Sequence, residues 1–342
     1  MPISSATLIR LAREQTILFS RADKSIIAIY LTGSVLTESP LLGGTTDIDL
    51  VFVHNNKPVI RREIVAISPD VHLDIKHNPR SEYAKPRELR LNPWLGPEIL
   101  NPMLLYETEP FIEYVQAGVR EKFLEPSNTI ERARTNLSHA RQIWSELFVG
   151  VESGPPTLLK YLKALNHIAN AIAILNGPVL AERRLLLQFP ERAEAAGNPG
   201  FTSRLLYQLG EEYVDNDTML GFLPVWEKTF LEAATRMRVD GRIHKARLAY
   251  YKKAFEAMIA DGNVTAVLWP MLFTWTLAAL ALPPTKYEDW VAAFKFFGLM
   301  EAGLKSRLET MNSFLDEVDE NLNQLSATHG LDVIYRDGRR VL

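Results

Sequence analysis

The stretch from Ser25 to Asp49, S-I-I-A-I-Y-L-T-G-S-V-L-T-E-S-P-L-L-G-G-T-T-D-I-D, constrains this chain more than any other. Ile26 to Leu31 is an unbroken apolar run rich in β-branched residues, the composition of a buried strand. It ends at Gly33-Ser34, and a loop carrying Gly43 and Gly44 leads to Asp47-Ile48-Asp49, fused to a second apolar run, L-V-F-V. Side chains alternate along a strand, so Asp47 and Asp49 project from one face. Two carboxylates that close repel one another, and a divalent cation removes the conflict. Mg²⁺ is suited to a few carboxylates completed by water and substrate phosphates. A Gly-Ser turn after a strand can offer backbone N–H groups and a hydroxyl to phosphate oxygens.

A third acid lies in V-H-L-D-I, residues 71–75, where Asp74 sits in another alternating apolar segment that reads as a neighbouring strand. Its role in such a cluster is that of a metal ligand or of the base for an attacking hydroxyl. Three acids arranged around metal and phosphates suit phosphoryl or nucleotidyl transfer, in which alignment and charge stabilisation carry the chemistry. An isolated D-x-D is commonly no more than a solvated turn. It is the order strand, Gly-Ser, Gly-rich loop, D-x-D, third acidic strand that points to a site.

That order resembles the polymerase-beta-type nucleotidyltransferase superfamily, and the likeness covers about residues 25–80. It implies that Asp47, Asp49 and Asp74 hold two Mg²⁺ ions. It further implies that Asp74 helps to activate the acceptor hydroxyl, and that Gly33 and Ser34 hold the phosphates of a nucleoside triphosphate, with ATP the expected donor. The loop between Ser34 and Asp47 is longer than in small bacterial members.

The first 125 residues read as an α/β catalytic module. A helix over residues 5–20 precedes strands at Lys24 to Gly33, Asp47 to His54, Arg62 to Ser68 and Val71 to His77. Short helices and turns then fit the proline-punctuated segment 79–102, and Met103 to Tyr106 is a last strand. From residue 126 onward the periodicity is helical to near the end. Helices are expected at Thr129 to Phe148, Leu158 to Asn176, Leu180 to Phe189 (closed by Pro190), Thr202 to Asn216, Leu223 to Arg238 and Arg242 to Ala260. A long final one over Tyr287 to Leu325 breaks near Gly298 or Gly303, and the tail reads as a small hairpin or a loose end. The expected class is α+β: a small mixed sheet at 1–125, then an all-α helical bundle at 126–342 forming the acceptor side of a cleft.

The uncharged stretch Gly262 to Thr285 is long enough to span a bilayer, but Pro270 interrupts it and charged helices flank it, so it reads as a buried central helix. The chain has no cysteine, which excludes disulfides and thiolate-ligated metal. No apolar signal core opens the sequence, and a cytoplasmic protein is expected. The net charge of −3 is spread in both signs. That argues against a nucleic-acid acceptor, which calls for a basic track with stacking aromatics.

The two-module order also resembles the antibiotic nucleotidyltransferases. This implies transfer of a nucleoside monophosphate to a hydroxyl of a small-molecule acceptor, with release of pyrophosphate. A protein acceptor, or a non-catalytic nucleotide-binding or interaction scaffold, are the alternatives. In the second module, Glu182 falls nearest the region where some relatives place a base. Arg183 and Arg184 have the forked geometry for phosphate, although solvation at a helix start accounts for all three as well.

Overall fold

The computed structural model describes residues 3–150, 153–331, 334–336 and 339–341. Helix α1 (Ser5–Ala22) leads into β1 (Ile26–Thr32), β2 (Thr46–His54), β3 (Arg62–Ala66) and β4 (Val71–Pro79). Short helices α2 (Pro86–Leu89) and α3 (Leu95–Leu100), strand β5 (Met103–Glu107) and α4 (Phe111–Arg120) follow. The remainder is helical: α5 (Pro126–Val149), α6 (Pro155–Ala173), α7 (Leu185–Ala195), α8 (Gly200–Leu209), α9 (Asn216–Ala234), α10 (Leu248–Ala260), α11 (Leu268–Leu280), α12 (Glu288–Phe296) and α13 (Glu301–Thr328). A terminal hairpin pairs β6 (Ile334–Arg336) with β7 (Arg339–Val341). The class is α+β, with one mixed sheet in order β3-β4-β2-β1-β5. Strand β4 pairs parallel with β2, and the other pairings in that sheet are antiparallel.

Contacts divide the chain into two compact units: Met1–Phe123 with Asp240–Ala257, and Leu124–Val239 with Met258–Leu342. In the first, alternation along the strands gives the sheet two faces. Ile29, Leu31, Ile48, Leu50, Phe52, Leu73 and Ile75 pack with Leu8 and Ala12 of α1. Ala28, Tyr30, Val51 and Val53 pack with Ile99 of α3 and with Ile112, Val115 and Val119 of α4. Asp47 and Asp49 share the parity of Val51 and Val53, so the acids stand at the start of that second face.

In the second unit α11 is buried along nearly its whole length, as its uniformly apolar sequence requires. Three buried indoles find threonine partners: Trp226 and Trp275 donate to Thr274 and Thr229, at 3.0 and 3.1 Å, and Trp290 donates to Thr276 at 3.3 Å. None of the described helices is long and apolar enough to cross a membrane.

Several boundaries depart from the sequence expectation. Helix α7 runs through Pro190 instead of ending there, with Leu185, Leu186, Phe189 and Ala193 buried on both sides of the proline. Helix α9 starts at Asn216, seven residues before the expected Leu223, and also continues through an internal proline, Pro224. Its start is set by Asp215, whose carboxylate accepts from the Thr218 N–H at 2.7 Å. Helix α8 stops at Leu209 because Gly210 turns left-handed at φ +84°. Residues 241–247 form two 3₁₀ turns, so α10 begins at Leu248 and not at Arg242. The break between α12 and α13 falls at Gly298, φ +64°.

At the C-terminal ends of β2 and β4, His54 Nε2 and His77 Nδ1 lie 2.9 Å apart. Ser25 Oγ is 2.9 Å from His54 Nδ1. Asp23 lies 3.8 Å from His54, and Glu63 lies 3.7 Å from His77. Burial, then the neighbouring His54, pushes His77 down to about 4. A base held neutral in the native state binds its proton more readily when unfolded. Its contribution is therefore complete above about pH 6.5 and is lost as pH falls toward about 4. Between pH 7 and 5 this group should cost about 2 kcal/mol of stability. Denaturant titrations at the two pH values should show that loss in the wild type and a smaller one in His77→Gln.

Candidate active site

The parallel register of β2 and β4 sets Asp49 directly opposite Asp74, and Asp47 opposite His72. Neighbouring strands are about 4.8 Å apart, so this register forces the carboxylates together. One oxygen from each of Asp47, Asp49 and Asp74 falls within 4.8 Å of the others. Asp47 and Asp74 are buried and Asp49 is half-buried. Burial first, and then Asp47 and Asp74, raise the Asp49 carboxyl well above the usual carboxylate range.

Two guanidinium groups answer the charge. Arg62 of β3 forks onto both oxygens of Asp74, its Nε donating to Oδ1 at 2.7 Å and its Nη2 to Oδ2. Arg247, only 4 % exposed, donates from Nη1 to Oδ2 of the same carboxylate at 2.7 Å, and its Nη2 lies 3.5 Å from Asp47. Burial opposes ionisation of Asp74, but hydrogen bonds and charge from Arg62 and Arg247 prevail and hold it at about 2. Tyr250 donates to Asp47 at 2.8 Å. The Arg247 guanidinium lies over the rings of Tyr250 and Tyr251, at 4.9 and 5.4 Å from their centroids. Arg62, Arg247 and Tyr250 were not singled out from sequence. Arg247 and Tyr250 lie some 200 residues from Asp47, in a segment of ordinary basic amphipathic pattern, and nothing local marks an arginine that will be buried.

Gly33 meets the acids from the end of β1. Its backbone lies at φ +79°, ψ −158°, a region open essentially to glycine alone. A Cβ there would fall 1.9 Å from Asp49 Oδ2. Ser34 opens a 3₁₀ turn, with its hydroxyl 3.5 Å from that of Thr46. The long loop that follows closes on Leu42-Gly43-Gly44-Thr45, where Leu42 and Thr45 exchange backbone hydrogen bonds of 3.1 and 3.2 Å. Both glycines have positive φ, as a type I′ turn requires. The returning segment 240–257 pins this loop. Thr45 donates to the Tyr250 carbonyl at 3.3 Å, and a Cβ on Gly43 would collide with the Lys253 carbonyl. The loop's length thus has a structural use within the same unit.

Gly33, Ser34, Asp47, Asp49 and Asp74 therefore come together in one unit. Glu182, Arg183 and Arg184 belong to the other, on a 3₁₀ turn that packs against α11. Arg183 is buried there, contrary to the solvated surface that accounted for it in sequence.

Three clustered carboxylate oxygens form a hard donor set suited to Mg²⁺ or Mn²⁺. No family model matches the chain. No curated protein matches it either. Among solved structures, it aligns with the crystal structure of a nucleotidyltransferase-like protein from Exiguobacterium sibiricum 255-15. Identity is 9 % over 97 % of this chain and 96 % of that one, and the TM-score is 0.30. A likeness of that degree carries no argument, so the chemistry rests on the residues themselves.

Gly33 and Gly44 both sit at positive φ, but a Cβ at Gly44 meets nothing within 4 Å. In denaturant titrations Gly44→Ala should cost about 1 kcal/mol, the backbone penalty alone. Gly33→Ala should cost about 3 kcal/mol, because the methyl also displaces Asp49.

Proposed function

We propose that this chain is a metal-dependent nucleotidyltransferase that moves a nucleoside monophosphate, AMP from ATP, onto a hydroxyl of a small-molecule acceptor and releases pyrophosphate. The observation that carries this reading is the register that gathers Asp47, Asp49 and Asp74 at one edge of the sheet, with the Gly33-Ser34 turn against Asp49. Asp47 and Asp49 are the ligands expected for Mg²⁺, and Asp74 completes the set. When bound, the metal supplies Lewis-acid polarisation of the acceptor hydroxyl and of the α-phosphate, and neutralises the pyrophosphate that leaves.

The chain's own groups do the rest. Gly33, having no side chain, leaves room for the Asp49 carboxylate beside the turn, and the turn's backbone N–H groups and the Ser34 hydroxyl are the donors for phosphate oxygens. The acceptor oxygen forms its bond to the α-phosphorus as the bond to the bridging oxygen of pyrophosphate breaks. As the third ligand Asp74 would help to activate the hydroxyl, whose proton leaves to solvent, because Arg62 and Arg247 hold that carboxyl too acidic to keep it.

Titration calorimetry with a non-hydrolysable ATP analogue should show Mg²⁺-dependent binding that weakens about 100-fold in Asp47→Asn/Asp49→Asn, with thermal unfolding used to confirm that the variant is folded at the titration temperature. Equal binding by that variant would contradict the site. One observation favours a second reading, a nucleotide-binding scaffold without turnover: two guanidinium groups already neutralise Asp74. Release of pyrophosphate from ATP with any member of a panel of hydroxylated acceptors excludes that reading. Binding with no release across the panel supports it.

A further inference from the structure

The acid cluster carries its own cations, and the two are not equivalent. Arg62 already engages both oxygens of Asp74 in a fork, the strongest geometry a guanidinium and a carboxylate adopt. Arg247 is therefore redundant to Asp74. It makes one close contact to that carboxylate and a loose one of 3.5 Å to Asp47, and its buried Nε has no acceptor. Of its five donor hydrogens, few are well used. Unused buried donors are costly, and the acceptors that would use them are the oxygens of a phosphate, which the same fork fits.

Charge leads to the same place. Asp47, Asp49 and Asp74 supply at most three negative charges, and Arg62 and Arg247 supply two positive ones. Adding divalent cations alone leaves a buried positive excess. Adding them with a triphosphate, which brings about four negative charges of its own, restores balance. Metal and nucleotide then favour each other's binding, and Arg247 is the group whose partner changes between the two states.

We propose that Arg247 is a triphosphate-binding residue that serves, until nucleotide arrives, as the internal counter-cation of the acid cluster, so that a divalent metal binds the cluster more tightly with the nucleotide than alone. The inference rests on the nucleotidyl-transfer reading and deepens it. On binding, the guanidinium passes from Asp74 and Asp47 to phosphate oxygens, which removes one positive charge from beside both carboxylates while Arg62 stays on Asp74. The tyrosine rings of Tyr250 and Tyr251 tolerate either position, because a cation–π contact has no fixed donor–acceptor axis. Tyr250 keeps its own hydrogen bond to Asp47 in the meantime.

The test is titration of Mn²⁺ into the full-length protein, with and without a non-hydrolysable ATP analogue, for the wild type, Arg247→Met and Arg247→Lys. Thermal unfolding of each serves as the control for folding. Coupling between two sites is commonly 5- to 150-fold. In the wild type, the analogue should tighten Mn²⁺ binding by about tenfold or more. Without analogue, Arg247→Met should bind Mn²⁺ about tenfold more tightly than the wild type, and its affinity for the analogue should fall. Arg247→Lys, which keeps the charge but loses the fork, should resemble the wild type toward Mn²⁺ alone and bind the analogue weakly.

Equal Mn²⁺ affinity in the wild type and Arg247→Met, with analogue binding intact, overturns the role of Arg247 and leaves the nucleotidyl-transfer reading standing. Analogue binding absent from every protein overturns that reading and the handover with it. If Arg247→Met does not fold, the wild type decides: Mn²⁺ binding indifferent to the analogue overturns the proposal.

Discussion

Two parallel strands in register place Asp49 opposite Asp74, and much of the first unit is built around the consequence. Carboxylates held within a few ångströms and partly withdrawn from water repel one another strongly. The fold meets that cost with arginines from two directions. One comes from β3, the neighbour of β4, which delivers Arg62 to Asp74. The other comes from residues 240–257, which belong to this unit although more than a hundred residues of the other unit precede them in the chain. That return brings Arg247 to Asp74, Tyr250 to Asp47 and Lys253 to Asp70. Removing one partner from such a buried network is expected to cost more than the network itself contributes.

Local pattern made the sheet legible. Continuous apolar runs located β1 and β2 and an alternating segment located β4, and the period of two along a strand put Asp47 and Asp49 on one face before any pairing was known. Asp74 was legible for the same reason. Arg247 and Tyr250 were not, because their importance lies in partners about 173 and 203 residues away. A sequence shows that a segment is basic and amphipathic, but not which arginine will be buried. The departures in the helical region have local causes of the opposite kind. A proline reads as a stop, yet Pro190 and Pro224 sit inside helices flanked by buried apolar residues. An aspartate cap at Asp215 and a left-handed turn at Gly210 moved two boundaries by several residues.

The Gly33-Ser34 turn lies directly against the acids: a Cβ on Gly33 would fall 1.9 Å from Asp49 Oδ2. Gly33 is the residue that lets β1 end against the Asp49 carboxylate, so the backbone that would cradle phosphates and the oxygens that would hold metal share one surface. The long loop beyond Ser34 is likewise no free excursion. Its glycine turn is docked on the same returning segment that carries Arg247. The Gly33-Ser34 turn, the acid cluster and the internal cations therefore form one connected assembly, so a change at any one should be felt at the other two.

The most direct measurement is anomalous scattering from Mn²⁺ in crystals grown with a non-hydrolysable ATP analogue. The account predicts a peak about 2.1 Å from carboxylate oxygens of Asp47 and Asp49, with the Arg247 guanidinium on phosphate oxygens and no longer on Asp74. An analogue bound elsewhere, or bound at Gly33 with no Mn²⁺ at the acids and Arg247 still on Asp74, would contradict it.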